Sequence, residues 1–264
     1  MPQRQPSPAR PRARLRHAPG DALPPVGRPV LAEFFRRDAQ EVAAGLLGLV
    51  LCHRVRGRWL MASLVEAEAY YLEDRASHAS LGYTPKRRAL FMPAGTIYMY
   101  YARGGDSFNV SVRGAGNAVL LKAGLPLLHE HVSAADAARW PAAQAAAMLA
   151  RMGRLNPLPS GKARPVHHLC AGQTLLCRAL GLKVPAWDAR PLPSPSLVLV
   201  DVGYRPAQIV RARRLGIPPH RDPHLLYRYV DVARAQAATR HPIGRSAREG
   251  VAYERLPAAT HRAR

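Results

Sequence analysis

The stretch Trp59-Leu60-Met61-Ala62-Ser63-Leu64-Val65-Glu66-Ala67-Glu68-Ala69-Tyr70 decides how this chain is read. It is an apolar run preceded by a second one, Val50 to Val55, and the polar Arg56-Gly57-Arg58 separates the two. Apolar runs flanking a short break that contains glycine predict a hairpin, here with a long second strand. Glu66 and Glu68 interrupt that strand. Side chains two apart on a strand share a face, so both are expected to look toward one cleft or both toward water. Desolvating a carboxylate costs several kcal/mol and raises its pKa, so carboxylates set in an apolar strand mark the place where chemistry is expected.

Working outward, Leu31-Ala32-Glu33-Phe34-Phe35 predicts a short helix near which order should begin, and Asp38-x-x-Glu41 reads as a capping box for a helix through Leu47. Tyr71 to Arg88 is polar, holds Gly82, Pro85 and Lys86-Arg87-Arg88, and predicts a surface loop able to lie against phosphates. Ile97 to Tyr101, Phe108 to Val112 and Asn117 to Ala123 predict a meander, its first pair joined by Arg103-Gly104-Gly105-Asp106. The alanine-rich Ser133 to Met152 predicts helix, with Pro141 starting a second helix or kinking the first. Leu169 to Leu180 predicts a helix ended by Gly181, and Pro185 to Pro195 a loop. Leu197 to Val202, Ile209 to Leu215 and Leu225 to Val232 predict the remaining strands. Without βαβ alternation the expected class is α+β, a single domain built on a curved, mostly antiparallel sheet flanked by helices. Residues 1–28 are expected to form a disordered Arg/Pro-rich arm, 29–235 the domain, and 236–264 a basic C-terminal tail.

The 264 residues carry 39 Lys+Arg against 17 Asp+Glu, a formal net charge of +22, so a polyanionic partner and above all nucleic acid is expected. A GC-rich genome would account for Arg in place of Lys, but it accounts less well for the excess of positive over negative charge. Five Arg lie in residues 1–27 and six in 239–264, and the middle of the chain remains basic without them. Cys52, Cys170 and Cys177 form an odd set without paired short spacings, which predicts reduced, buried thiols. His167-His168 stands near Cys170 with neither a CxxC pair nor a HExxH helix, so no metal is predicted. No apolar run reaches the roughly 18 residues of a membrane span, and the N-terminus lacks the apolar stretch of a signal peptide. The expectation is a soluble intracellular protein with no membrane partner, cytoplasmic in a bacterium and nuclear in a eukaryote.

The string VEAEAY, then Ser77-His78, Thr84-Pro85, Phe91-Met92, GTIYMY from Gly95, Phe108-Asn109-Val110 and Ala118-Val119-Leu120-Leu121-Lys122-Ala123 resemble the alkyladenine (3-methyladenine, N-methylpurine) DNA glycosylase family. The resemblance spans about Leu31 to Val232 and includes Leu169-Cys170-x-Gly172, Leu176-Cys177-x-Ala179-Leu180-Gly181 and, more weakly, Arg213-x-Leu215-Gly216-Ile217. It implies a monofunctional, cofactor-free and metal-free monomer acting on double-stranded DNA with damaged purines: alkylated, deaminated or etheno-bridged. Such an enzyme flips the base from the duplex and hydrolyses its N-glycosidic bond.

By the same resemblance Glu68 is the general base that deprotonates a water, and its charge stabilises positive charge developing on the sugar. Glu66 is expected to support neighbouring backbone or an Arg. Tyr70, His78 and Tyr100 match the aromatic walls of the base pocket, and Asn109 matches the asparagine that crowds the exocyclic amino group of guanine. Two departures stand out. Lys122 replaces an Arg common in the family and loses the planar fork for a DNA or water contact. The tip that fills the hole left by the flipped nucleotide is one residue shorter and reads Tyr101-Ala102-Arg103-Gly104-Gly105-Asp106, which makes Arg103 the first candidate for the DNA wedge and Tyr101 the second. The rival readings are a non-catalytic nucleic-acid-binding protein that keeps the fold, and a glycosylase–lyase whose Lys122 forms a Schiff base.

Overall fold

Residues 50–70 form the expected hairpin, β2 (Val50–Val55) and β3 (Arg58–Tyr70), with Arg56 and Gly57 at positive φ in its tight turn. The computed structural model describes residues 23–102, 104–244 and 247–257. Helix α1 (Ala39–Leu46) precedes the hairpin, and the Asp38 side chain caps it by accepting from the Gln40 amide at 2.9 Å. Ala39, Val42, Ala43 and Leu46 recur at helical spacing and are buried, so this face of α1 lies on β3.

The meander is present as β4 (Ile97–Ala102), β5 (Gly105–Ser111) and β6 (Ala118–Pro126). With β1 (Arg28–Pro29) and β7 (Leu197–Asp201) it gives the order β1-β7-β2-β3-β6-β5-β4, every pair antiparallel. Strand β3 is central because it is long enough to serve two neighbours on one edge. Its first half pairs with β2, and Glu66, Ala67 and Glu68 pair with β9 (Arg228–Asp231), which continues through β8 (Gln208–Ala212) to β10 (Tyr253–Pro257). The Ser133–Met152 region divides at Pro141 into α2 (Ala134–Arg139) and α3 (Ala142–Leu155). Helix α4 (Gln173–Leu180) packs on β5 and β6 and ends at Gly181 in the left-handed conformation, and α5 (Val184–Trp187) is a single turn inside the proline-rich segment. The architecture is the expected α+β sheet with flanking helices.

Described residues on both sides of 29–235 join the core and the sheet. Residues 1–22 of the basic arm lie outside the described residues, but Val26 is buried in the core and Arg28–Pro29 pairs with β7. At the other end Ala237 and Ala238 are buried and β10 pairs with β8 along its length, so the segment read as a tail contributes a strand as far as Pro257. The physical reason is that β8, paired with β9 along one edge, leaves its other edge open, and β10 satisfies it. Among the described residues no helix is long and apolar enough to cross a membrane.

Candidate active site

The register between β3 and β6 is broken where the carboxylates stand. Leu64 faces Gly124, Glu66 faces Ala123 and Ala67 faces Leu121, so Val65 and Lys122 are passed over. Irregularities of this kind re-aim side chains and are concentrated beside active sites. Glu66 and Glu68 are both fully buried, so neither faces water, and each is held by its own partners. Glu66 accepts from Arg228 Nε at 2.6 Å and from the Thr239 amide at 2.6 Å, the support expected of it.

Glu68 is held differently. Its Oε2 accepts from the Tyr70 hydroxyl at 2.7 Å and from Lys122 Nζ at 3.4 Å. The ammonium also lies 3.3 Å from Oε1, but Oε1 receives no hydrogen bond among the described residues. A buried carboxylate oxygen left in that state costs free energy and calls for a chemical explanation. Lys122, expected as a DNA contact, is only 6% exposed, and its ammonium stands against the Glu68 carboxylate.

Tyr70 and Lys122 line a cavity of about 260 Å³, which His78, Tyr98, Tyr100, Asn109 and Leu120 also line. Ligand sites run upward from about 300 Å³, so this volume suits a single heterocycle. Glu68 stands behind that lining, held by two of its members. Tyr98 and Tyr100 stack at 5.4 Å between centroids, and the His78 ring lies 4.4 Å from that of Tyr100. His78 Nδ1 and the Tyr98 hydroxyl share a hydrogen bond of 2.9 Å. Burial, then Arg87 and Arg221, lower the His78 pKa, which keeps the imidazole neutral near pH 7. Burial first and Glu68 next push the Tyr70 pKa well up, so its hydroxyl remains a donor. Asn109, opposite Tyr98 on β5, donates from Nδ2 to the Tyr98 carbonyl at 3.2 Å, which fixes the amide at the cavity wall.

Of the residues expected in the site, Glu68, Tyr70, His78, Tyr100, Asn109 and Lys122 come together. Tyr101 is set apart, 67% exposed near the tip of the β4–β5 hairpin, and Arg103 lies outside the described residues. The hairpin is braced below the tip. Asp106 accepts from Lys183 Nζ at 3.1 Å and the Val184 amide at 2.9 Å, and a Cβ on Gly105 would stand 2.8 Å from that of Thr174. Glycine is therefore needed for the hairpin to rest on α4.

Sequence reasoning missed Tyr98, Gln173 and Arg221 as lining residues, together with the ion pair of Arg214 and Asp74 behind Tyr70. Tyr98 had a signal, since it stands two residues from Tyr100 and so on its face of the strand. Arg214 had none, being 140 residues from Asp74. The described residues contain no cluster of three or more His, Cys, Asp or Glu able to hold a metal, and burial raises the pKa of all three cysteines.

Comparisons with known proteins agree with this geometry. A family model described as Methylpurine-DNA glycosylase matches residues 33–235. A Pseudomonas aeruginosa protein provisionally named a 3-methyladenine DNA glycosylase is 52% identical over 232 residues, covering 88% of this chain and 92% of its own. A similarly named Pseudomonas fluorescens protein is 52% identical over 230 residues, covering 87% and 93%. The mouse DNA-3-methyladenine glycosylase is 35% identical over 193 residues, 70% of this chain and 53% of that one. The chain belongs to the methylpurine-DNA glycosylase family.

Proposed function

We propose that this protein is a monofunctional DNA repair glycosylase that takes a damaged purine out of double-stranded DNA and hydrolyses its N-glycosidic bond with a water activated by Glu68. The observation that carries this reading is the buried Glu68 carboxylate, one oxygen of which receives no hydrogen bond among the described residues, set directly behind an aromatic cavity sized for one heterocycle. A base inside a duplex has to be extruded before such a cavity can hold it, and stacking on aromatic rings then retains it. Tyr70, Tyr98 and Tyr100 supply the rings. Asn109, its amide fixed to the Tyr98 carbonyl, crowds the exocyclic amino group of normal guanine.

Oε1 is the atom we assign to the proton of the attacking water, because Oε2 is occupied by Tyr70. Lys122 supports water rather than a Schiff base as nucleophile, since an ammonium paired with a buried carboxylate has no free lone pair for attack. A non-catalytic DNA-binding role leaves the open carboxylate oxygen without a use. The exposed basic side chains and the basic termini hold phosphates, and the braced β4–β5 hairpin presents the wedge, with Arg103 as our first choice and Tyr101 as the second. Hydrolysis of this kind takes water alone and needs no cofactor.

The test is single-turnover release of free base from duplexes that each carry one lesion: alkylated, deaminated or etheno-bridged. Release from at least one lesion and none from undamaged DNA is expected. Binding without release would overturn the enzymatic reading in favour of a binding module. Run with Arg103→Ala and Tyr101→Ala, the same assay should show a loss of about tenfold in the first variant only, given a few kcal/mol of unstacking to hold off. The reverse pattern makes Tyr101 the wedge.

A further inference from the structure

The Tyr70 wall of the cavity carries a cation on its far side. Arg214 is 5% exposed, and its guanidinium carbon lies 4.5 Å from the centre of the Tyr70 ring. Arg214 does not line the cavity, although Tyr70 and the four residues that follow the arginine do. The guanidinium covers one face of the ring and stands outside the lining, so the other face is the one left to meet a ligand. It is held there firmly. Asp74, 3% exposed, accepts from Nη2 at 2.9 Å and pairs with Nη1, which also donates to the Ala69 carbonyl at 3.1 Å.

Aromatic faces attract cations through their negative π density. A cation seated on one face draws that density toward itself and makes the opposite face a poorer partner for a second cation. Direct Coulomb repulsion across the ring acts with the same sign. Asp74 offsets part of the charge from the edge of the guanidinium, but the contact on the ring belongs to the cation alone.

We propose that Arg214 is a specificity-determining residue that turns the Tyr70 wall into a stacking surface for neutral purine lesions and works against positively charged ones. The inference rests on the glycosylase reading above. A cationic alkylated base gains a cation–π contact from an aromatic wall whose ring is not already engaged by a cation. Tyr70 is already engaged by a cation, so that contact is left to Tyr98 and Tyr100. Arg214 does not line the cavity and acts through Tyr70.

The experiment compares single-turnover release of 7-methylguanine, which carries a formal positive charge in the nucleotide, with release of neutral hypoxanthine from matched duplexes. Arg214→Met combined with Asp74→Asn removes both members of the buried pair, so that no charge is left unpaired. Arg214→Gln, which keeps an N–H donor for Asp74, gives a second route if the double variant does not fold. The ratio of cationic to neutral release should rise about threefold to tenfold over wild type, the size of a cation–π contact at a partly desolvated ring. A purely structural role would depress both releases together, so an unchanged or falling ratio overturns the proposal. In a Tyr70→Leu background the same substitutions should leave the ratio unmoved, and a rise there would show that the effect does not pass through the ring. Absence of all release by the wild-type protein would instead bring down the glycosylase reading, and this inference with it.

Discussion

Glu66 and Glu68 stand two residues apart on β3, both fully buried, and their surroundings are opposite in kind. Glu66 is closed off: one oxygen takes Arg228, the other takes the Thr239 amide, and through these it ties the central strand to β9 and the C-terminal segment. Among the described residues Glu68 accepts hydrogen bonds through one oxygen only, and both donors line the cavity. A buried carboxylate with every oxygen engaged holds a fold together, whereas one with an open oxygen behind a cavity holds a capacity for proton transfer. The sequence VEAEAY presents the two identically, each preceded and followed by an apolar residue.

The largest expected effect separates them by activity. Glu68→Gln keeps the shape and removes the basicity, so single-turnover release should fall about a hundredfold to ten-thousandfold while binding to lesion DNA stays close to wild type. Turnover near wild type in this variant would take Glu68 out of the mechanism and erase the contrast.

The next separates them by stability. Arg228→Met leaves Glu66 as a buried charge without its ion-pair partner, and breaking such a pair by removing one member costs about 3–5 kcal/mol. Denaturant or thermal unfolding should show that loss, with base release per folded molecule little changed. Loss of release in fully folded Arg228→Met would mean that the two carboxylates form one working unit after all.

How much of this was legible follows the distance over which the information is spread. The β2–β3 hairpin, the β4–β5–β6 meander and the α1 and α4 helices were readable because turn residues, caps and apolar period are local. Strand β1 has two residues and no period to read, and β10 hides in a stretch whose arginines suggest a solvated tail. Tyr70, His78, Tyr100 and Asn109 were named through the family motif, whereas Tyr98 was missed although alternation places it on the face of Tyr100. The passing over of Val65 and Lys122 was not readable, since register belongs to a pair of strands rather than to either one. Neither was the fate of Glu66, which is decided by Arg228, 162 residues away, and by the Thr239 amide, 173 away.

The smallest effect tests the contrast at the level of single atoms. Tyr70→Phe keeps the ring that lines the cavity and that Arg214 covers, and removes only the hydroxyl that donates to Glu68 Oε2 at 2.7 Å. A hydrogen bond to a charged acceptor contributes about 1.5–3 kcal/mol. Lys122 remains within 3.4 Å of both carboxylate oxygens and offsets part of the loss. The expected result is a fall in kcat of about tenfold, equivalent to about 1.4 kcal/mol, with KM and lesion binding unchanged. This outcome fits a carboxylate that is steadied through Oε2 and works through Oε1. A loss as large as that of Glu68→Gln would put the hydroxyl itself in the proton path and reverse the roles of the two oxygens. A stability loss as large as that of Arg228→Met, with release intact, would show that Glu68 is held as Glu66 is, and the difference between the two carboxylates would no longer explain where the chemistry occurs.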